Sequence, residues 1–346
     1  MSPYGAPQVP AVAALNTNEN PYSPSPALQK AITDAVAKVA VDLNRYPDRD
    51  ATILRTKLAT YINEGNGTSF TLDNIWAANG SNEIIQSIFL AFAQGAVLGF
   101  TPSYSMHPLI AKTTGAQWID GKRNADFSLN TTDAVSEILK NKPTLTFITT
   151  PNNPTGGAVT LAEIQKLADA AKEVGGLLVV DEAYAEFSQE VSAVTLIANN
   201  PHVIVIRTMS KAFAFAGARL GYLVSDVAVK DAMMIVRLPY HLSSLTQAAA
   251  QVAIDHRAEL LGGVSTLIKA RGEVVQALHD MGLTTITSSA NFVLFTGFKQ
   301  DAPQLWAALL EKGVLIRDVG LSGYLRVTIG NEAENKLFVS ALKELI

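Results

Sequence analysis

Val203-Ile204-Val205-Ile206-Arg207-Thr208-Met209-Ser210-Lys211-Ala212-Phe213, followed by Arg219, is the stretch from which the fold of this chain is read. Four apolar β-formers run into a cluster of hydroxyls, a lysine and a downstream arginine. A short apolar run bounded by polar residues predicts a strand buried on both faces, as in a parallel sheet. A lysine just past such a strand can form a Schiff base with an aldehyde cofactor. The adjoining hydroxyls and guanidinium can hold a phosphate on the same molecule. An isolated lysine is usually a solvated surface charge. Lys211 instead stands among Met209, Ala212, Phe213 and Phe215, where desolvation lowers an amine's pKa.

A second apolar run, Leu177-Leu178-Val179-Val180, ends in Asp181-Glu182-Ala183-Tyr184. Asp181 can cap a helix. It can also keep a pyridine nitrogen protonated, so that the ring withdraws electrons from a substrate. Together with Lys211 it points to pyridoxal 5'-phosphate. A third run, Leu145-Thr146-Phe147-Ile148-Thr149, stops before Pro151-Asn152-Asn153-Pro154-Thr155-Gly156. Ligands of open α/β sheets bind outside the carboxyl ends of the strands. The three clusters are therefore expected to share one crevice if their strands are neighbours.

Around that crevice the weaker signals have plain alternatives. Tyr184 can hydrogen-bond a ring oxygen or use its hydroxyl locally, and Asn153 can share that oxygen or only form a turn. Asn79-Gly80-Ser81-Asn82 puts free N–H groups and a hydroxyl at a helix start, which suits a phosphate. Tyr104 can stack on a ring or pack under a loop.

At 346 residues the chain is long for one simple domain. An arm and helix are expected over 1–45, a large cofactor domain over 46–240 and a small domain over 241–346. Apolar residues are 48% and charged residues 17%, enough for a large core. Lys and Arg number 27 against 31 Asp and Glu, so the net charge is −4 and offers no footprint for nucleic acid or an anionic membrane. Cysteine is absent, which removes disulfides and thiolate metal sites and fits a reducing compartment. The histidines, including His107, never fall at metal-ligand spacing, so packing or surface positions are expected for them and no metal. No basic-then-apolar leader opens the chain, and no run approaches the ~18 apolar residues that span a bilayer. The expectation is a soluble cytoplasmic protein.

Pro21, Pro24 and Pro26 make the first thirty residues an extended arm. Helices are predicted over 26–41 and 51–62, then from the Gly80 turn through Phe92, and again beyond Pro239 to about Leu261. Strands are predicted at 96–100, 145–149, 177–180, 203–207 and 220–224, with two more at 291–295 and 324–329.

Eight segments in order carry a family resemblance. They are Leu15-Asn16-Thr17-Asn18-Glu19-Asn20-Pro21-Tyr22, Arg45-Tyr46-Pro47-Asp48, Asn79-Gly80-Ser81-Asn82-Glu83 and the 151–156 loop. Asp181-Glu182-Ala183-Tyr184, Ser210-Lys211-Ala212-Phe213, Ser289-Ala290-Asn291-Phe292 and Leu325-Arg326-Val327-Thr328-Ile329-Gly330 complete the set. From residue 15 onward the chain resembles the fold type I pyridoxal-phosphate-dependent aminotransferases, most closely their histidinol-phosphate aminotransferase branch.

The resemblance implies an α/β fold, a large domain with a mostly parallel central sheet plus a small α+β domain, and a homodimer. It implies that Lys211 holds the aldehyde, Asp181 the ring nitrogen, and Asn153 and Tyr184 the ring oxygen. Ser81, Asn82, Ser210 and Arg219 would surround the phosphate, with Thr208 nearby and Tyr104 over the ring. Family dimers bring a tyrosine to that phosphate from the partner subunit, a place that Tyr46 fills. Arg326, assisted by Arg317, would bind substrate anions, and Tyr22 and Tyr240 would shape an imidazole pocket. The implied reaction is transamination of L-histidinol phosphate with 2-oxoglutarate, giving imidazole-acetol phosphate and L-glutamate. An aromatic amino-acid aminotransferase with the same machinery is the alternative. Two departures from the family pattern are expected: a short arm without the helix that usually precedes it, and Phe215 at a variable position after the lysine.

Overall fold

The computed structural model describes residues 5–346. After a short β1 (Ala13–Ala14) come α1 (Pro26–Ala40) and α2 (Thr52–Asn66). Alternating elements follow: β2 (Ile75–Ala78), α3 (Ser81–Phe92), β3 (Ala96–Thr101), α4 (Met106–Thr114), β4 (Gln117–Lys122) and α5 (Thr131–Asn141). The alternation continues through β5 (Leu145–Thr149), α6 (Leu161–Glu173), β6 (Leu177–Asp181), β7 (Val203–Thr208) and β8 (Gly221–Val224). Next are α7 (Val227–Val236), α8 (Ser244–Asp255) and α9 (Arg257–Asp280). The C-terminal part holds β9 (Thr284–Thr285), β10 (Phe292–Thr296), α10 (Ala302–Glu311), β11 (Val314–Leu315), β12 (Leu325–Thr328) and α11 (Glu332–Leu345).

Local chemistry sets several of these boundaries. Ser25 caps α1 by accepting from Leu28 N, with Pro26 in the first turn where a missing N–H is harmless. Thr160 and Glu163 form a reciprocal capping box that starts α6, and Asn331 and Glu334 do the same for α11.

Seven strands form the central sheet in the order β2-β8-β7-β6-β5-β3-β4. All run parallel except β8, which is antiparallel to both β2 and β7. The sequence predicts the strand at 220–224 but not its direction, because an apolar run reads the same either way. β5 and β7 are buried along their whole length, as expected where helices cover both faces. One face packs Val179, Ile204 and Ile206 with Ile84, Ile88 and Ile110 of α3 and α4. The other packs Leu178, Val180 and Val205 with Ile164 and Leu167 of α6.

Several elements differ from the sequence expectation, which has no strand at β1, β2, β4, β9 or β11. The edge strand β4 is absent from it, since Gln117, Asp120 and Lys122 are polar and only Gly121 is buried. Such a charged edge resists pairing with other chains. The single helix expected beyond Pro239 is two, α8 and α9, parted at His256 and extending to Asp280.

β10 pairs antiparallel with both β12 and β9 in a C-terminal sheet, while β1 of the arm pairs with β11. The arm therefore starts on the C-terminal part of the molecule before reaching the ends of the central strands. Among the described residues, no helix is long and apolar enough to cross a membrane.

Candidate active site

Adjacent strands β5, β6 and β7 end on the same side of the sheet, where Thr149 pairs with Asp181 and Asp181 with Ile206, β7 running two residues further to Thr208. Their three polar clusters open into one cavity of about 300 Å³. The convergence expected from the sequence is thus a property of the structure. Ser81, Asn82, Tyr104, Asn153, Asp181, Tyr184, Thr208, Ser210, Lys211, Arg219 and Arg326 all line this cavity.

Alternation along β6 puts Asp181 on the face of Val179, beneath α4. Its Oδ2 lies 3.2 Å from His107 Nε2, and its Oδ1 accepts from Ala183 N at 3.2 Å. The sequence expectation for His107 is a packing or surface position. Its position one helical turn beyond Tyr104 was the available signal.

Lys211 Nζ donates to the carbonyl of Thr17 at 2.8 Å and lies 6.0 Å from the Tyr184 ring centroid. Burial lowers its pKa from 10.5 to about 8; the cations of Arg326 and Arg219 act in the same direction, and Glu19 opposes them. A substantial neutral fraction at mildly alkaline pH is what a nucleophilic or basic amine requires.

Opposite the lysine, α3 begins at Gly80 with no side-chain cap, leaving first-turn N–H groups directed at the cavity. Arg219 reaches the same corner: a Cβ on Gly80 would come 2.8 Å from its Nη2. A Cβ on Gly221 would fall 2.4 Å from Ser81 N, so only glycine lets β8 approach the helix start this closely. Thr208 and Ser210 share a hydroxyl contact at 3.0 Å beside it. An uncapped helix start, a guanidinium and paired hydroxyls make an anion cup.

At the other end, Tyr184 OH receives Asn18 Nδ2 at 2.8 Å and Asn153 Nδ2 at 3.4 Å. Arg326 Nη1 donates to Asn153 Oδ1 at 2.5 Å, and its Nη2 donates to Asn16 O at 2.8 Å. Tyr104 OH donates to Asn82 Oδ1 at 3.1 Å.

The remaining candidates lie outside the main cavity. Arg317 lines a neighbouring one of about 80 Å³ together with Arg326, Asn153 and Tyr104. Tyr46 and Tyr240 stack on each other, centroids 4.4 Å apart, and Tyr46 is 79% exposed. Tyr22 is partly exposed beside Gly263. The cavity also takes in Thr17, Asn18 and Glu19, which lie in the 15–22 segment but carry no expected role of their own.

On the back of the sheet, Arg207 Nε binds Glu182 Oε2 at 2.8 Å, its Nη1 binds Glu186 Oε1 at 3.0 Å and its Nη2 donates to Ser192 Oγ at 3.0 Å. Burial disfavours this cation, but Glu182 and Glu186 outweigh that and hold its pKa above the usual value. The network pins the tips of β6 and β7, from which Asp181 and Thr208 face the cavity.

The sequence profile of the family described as aminotransferase class I and II matches residues 10–342. The chain belongs to the class I and II aminotransferases. Within this family it is 51% identical, over its whole length and 92% of the relative's, to a histidinol-phosphate aminotransferase of Mycobacterium sp. (strain JLS). It is 52% identical to the histidinol-phosphate aminotransferase of Mycolicibacterium smegmatis (strain ATCC 700084 / mc(2)155), covering 99% of this aminotransferase and 91% of that one. The branch resemblance carried by the eight segments therefore holds.

The fold type I architecture recurs in solved aminotransferase structures. One is the histidinol-phosphate aminotransferase of Clostridium acetobutylicum, with a TM-score of 0.86 at 24% identity over 96% of this chain and 99% of that one. Another is that of Sinorhizobium meliloti in complex with pyridoxal-5'-phosphate, with a TM-score of 0.84 at 24% identity over 97% and 91%.

Proposed function

We propose that this aminotransferase uses pyridoxal 5'-phosphate to pass the amino group of L-histidinol phosphate to 2-oxoglutarate, giving imidazole-acetol phosphate and L-glutamate. The observation that carries this reading is the meeting of Lys211, Asp181 and Arg219 with an uncapped helix start around one cavity. Relatives that bear the histidinol-phosphate aminotransferase name at 51–52% identity support the substrate.

The residues present fit the cofactor, because the Gly80 and Gly221 approaches leave a backbone-lined cradle of phosphate character at one end of the cavity. Ser81, Asn82, Thr208, Ser210 and Arg219 would hold the phosphate, Asp181 the ring nitrogen, Asn153 and Tyr184 the ring oxygen, and Tyr104 would cover the ring. When bound, the cofactor supplies an electron sink for the carbanion left after proton removal. Lys211 would supply the amine that holds the aldehyde. With a pKa of about 8, the same Nζ would take the proton from the substrate's α-carbon as general base and deliver it to the cofactor's aldehyde carbon as general acid.

Arg326 and Arg317 supply guanidinium forks that accept carboxylate and phosphate alike, so one pocket serves both substrates in turn. Tyr22 and Tyr240 would wall the imidazole. We infer a homodimer in which Tyr46 reaches the second subunit's phosphate site. Val41, Leu43, Tyr46, Ile235 and Leu238 support it, being large apolar side chains all more than half exposed in a single chain.

Steady-state rates with histidinol phosphate and with phenylalanine, each against 2-oxoglutarate, test the assignment. A higher kcat/KM for histidinol phosphate is expected; a higher value for phenylalanine overturns the substrate. Lys211→Ala should lose both turnover and borohydride-fixed cofactor, and a variant that kept the fixed label would remove Lys211 from its role.

A further inference from the structure

Tyr184 receives two side-chain amides, and both are held from strand β12. Asn18 Nδ2 donates to its oxygen at 2.8 Å and Asn153 Nδ2 at 3.4 Å. Asn153 is gripped through its Oδ1 by Arg326. Asn18 is gripped by Thr328: Asn18 N donates to Thr328 Oγ1 at 3.0 Å, and that hydroxyl donates to Asn18 Oδ1 at 3.0 Å. Arg326 and Thr328 are two positions apart on one strand, so the pleat presents both to the same side. Asn291 Nδ2 adds a bond to the Asn18 carbonyl at 3.1 Å.

Asn18 is 1% exposed and has φ 57°, a left-handed conformation that asparagine tolerates better than most residues. Its surroundings over-determine it, as expected where local strain serves a site. The two grips differ in kind. A carboxylate or phosphate arriving at Arg326 competes for the same Nη1 that holds Asn153, because a bond between two charged groups outmatches one from the guanidinium to a neutral amide. The Thr328 grip on Asn18 involves no guanidinium and survives that competition.

We propose that Asn18 is a positioning residue for Tyr184, keeping the phenol aimed at the cofactor's ring oxygen while a substrate anion draws Arg326 away from Asn153. An N–H donated to the phenol oxygen strengthens the phenol as a donor in its own right. A stronger donor stabilises negative charge on the ring oxygen it faces. This inference rests on the cofactor reading above.

The test is an absorbance titration of the holoenzyme, following the pH at which the bound cofactor changes colour, with and without saturating succinate as an unreactive dicarboxylate. A weaker phenol donor leaves the ring oxygen less stabilised, so the nearby proton is held more tightly and the midpoint rises. Asn18→Gly keeps the left-handed backbone and should raise the midpoint by about 0.5 units or more, with the larger rise in succinate. Thr328→Val, which removes only the grip, should move it the same way by less. In a Tyr184→Phe background, Asn18→Gly should add no more than about 0.2 units, because its action passes through the phenol. An unmoved midpoint in both single variants, or a full shift that persists without the phenol, overturns the proposal. A coloured protein with an unmoved midpoint sinks this inference alone. An unaltered protein that takes up no colour sinks the cofactor reading and the inference with it.

Discussion

His107 Nε2 stands 3.2 Å from Asp181 Oδ2, with side chains only 2% and 3% exposed. Tyr104 meets the imidazole edge-on at 5.4 Å and Phe147 packs against it at 4.8 Å, so the ring has little room to turn from the carboxylate. Ala183 N holds the other oxygen. Asp181 is therefore oriented by protein groups on both sides.

His107→Phe keeps an aromatic ring under Tyr104 and removes the nitrogen. Losing a hydrogen bond to a charged group should lower kcat/KM roughly 10- to 100-fold. Rates should fall while the thermal midpoint moves little. An unchanged rate with a large fall in thermal midpoint would reduce His107 to a packing residue.

Lys211 titrates at about 8 in the folded chain against 10.5 for the free side chain. Between those values the unfolded chain binds the proton and the folded chain does not, so stability rises with pH across that window. Below pH 8 both states are protonated and the full burial penalty applies. Lys211→Met should therefore stabilise the cofactor-free chain below pH 8 by roughly 1–3 kcal/mol, with the advantage shrinking toward pH 10.5. Urea unfolding at several pH values checks this, and a pH-independent difference would contradict it.

Gly221→Ala places a methyl group 2.4 Å from Ser81 N. Either β8 or the start of α3 must shift, at roughly 1–3 kcal/mol. Because the anion cup is built from that helix start, cofactor affinity should drop more than tenfold. Equilibrium binding of pyridoxal phosphate to the apoprotein measures it, and wild-type affinity would mean the cup tolerates the shift.

Glu182→Ala leaves Arg207 paired with Glu186 alone and takes an acceptor from Ser192 Oγ and Ala193 N. Leaving these buried donors short of a partner should destabilise by about 1–3 kcal/mol, read as a fall in the denaturant midpoint. The solvent-exposed pair of Lys30 and Asp34, 2.9 Å apart, is the internal control and should contribute under about 1 kcal/mol.

Leu238, two residues before Tyr240 of the Tyr46–Tyr240 stack, is 73% exposed. If that apolar face is covered by a second copy, Leu238→Asp should shift sedimentation toward monomer and lower activity with it. A wild-type oligomer in the variant would place the interface elsewhere.

The site was more legible than parts of the fold around it, and the reasons are local. Lys211, Asp181 and Asn153 each follow an apolar run whose end is marked by a change of chemistry, so strand and function were read together. β4 carries no such mark, because an edge strand exposed to solvent keeps polar residues. The break at His256 interrupts a continuous helical pattern without glycine or proline, so nothing local announces it. Asn18 and His107 touch Tyr184 and Asp181 across large sequence separations, which spacing cannot reveal.

The antiparallel course of β8 has a consequence for motion. Thr208 pairs with Gly221, so residues 209–220 form a closed loop stapled at its neck, with the amine and the guanidinium both riding on it. Arg326, by contrast, hangs from the C-terminal sheet. Any hinging between the two sheets would leave Lys211 and Arg219 at a fixed separation while Arg326 swings, and its bond to Asn153 is where such a swing would be felt.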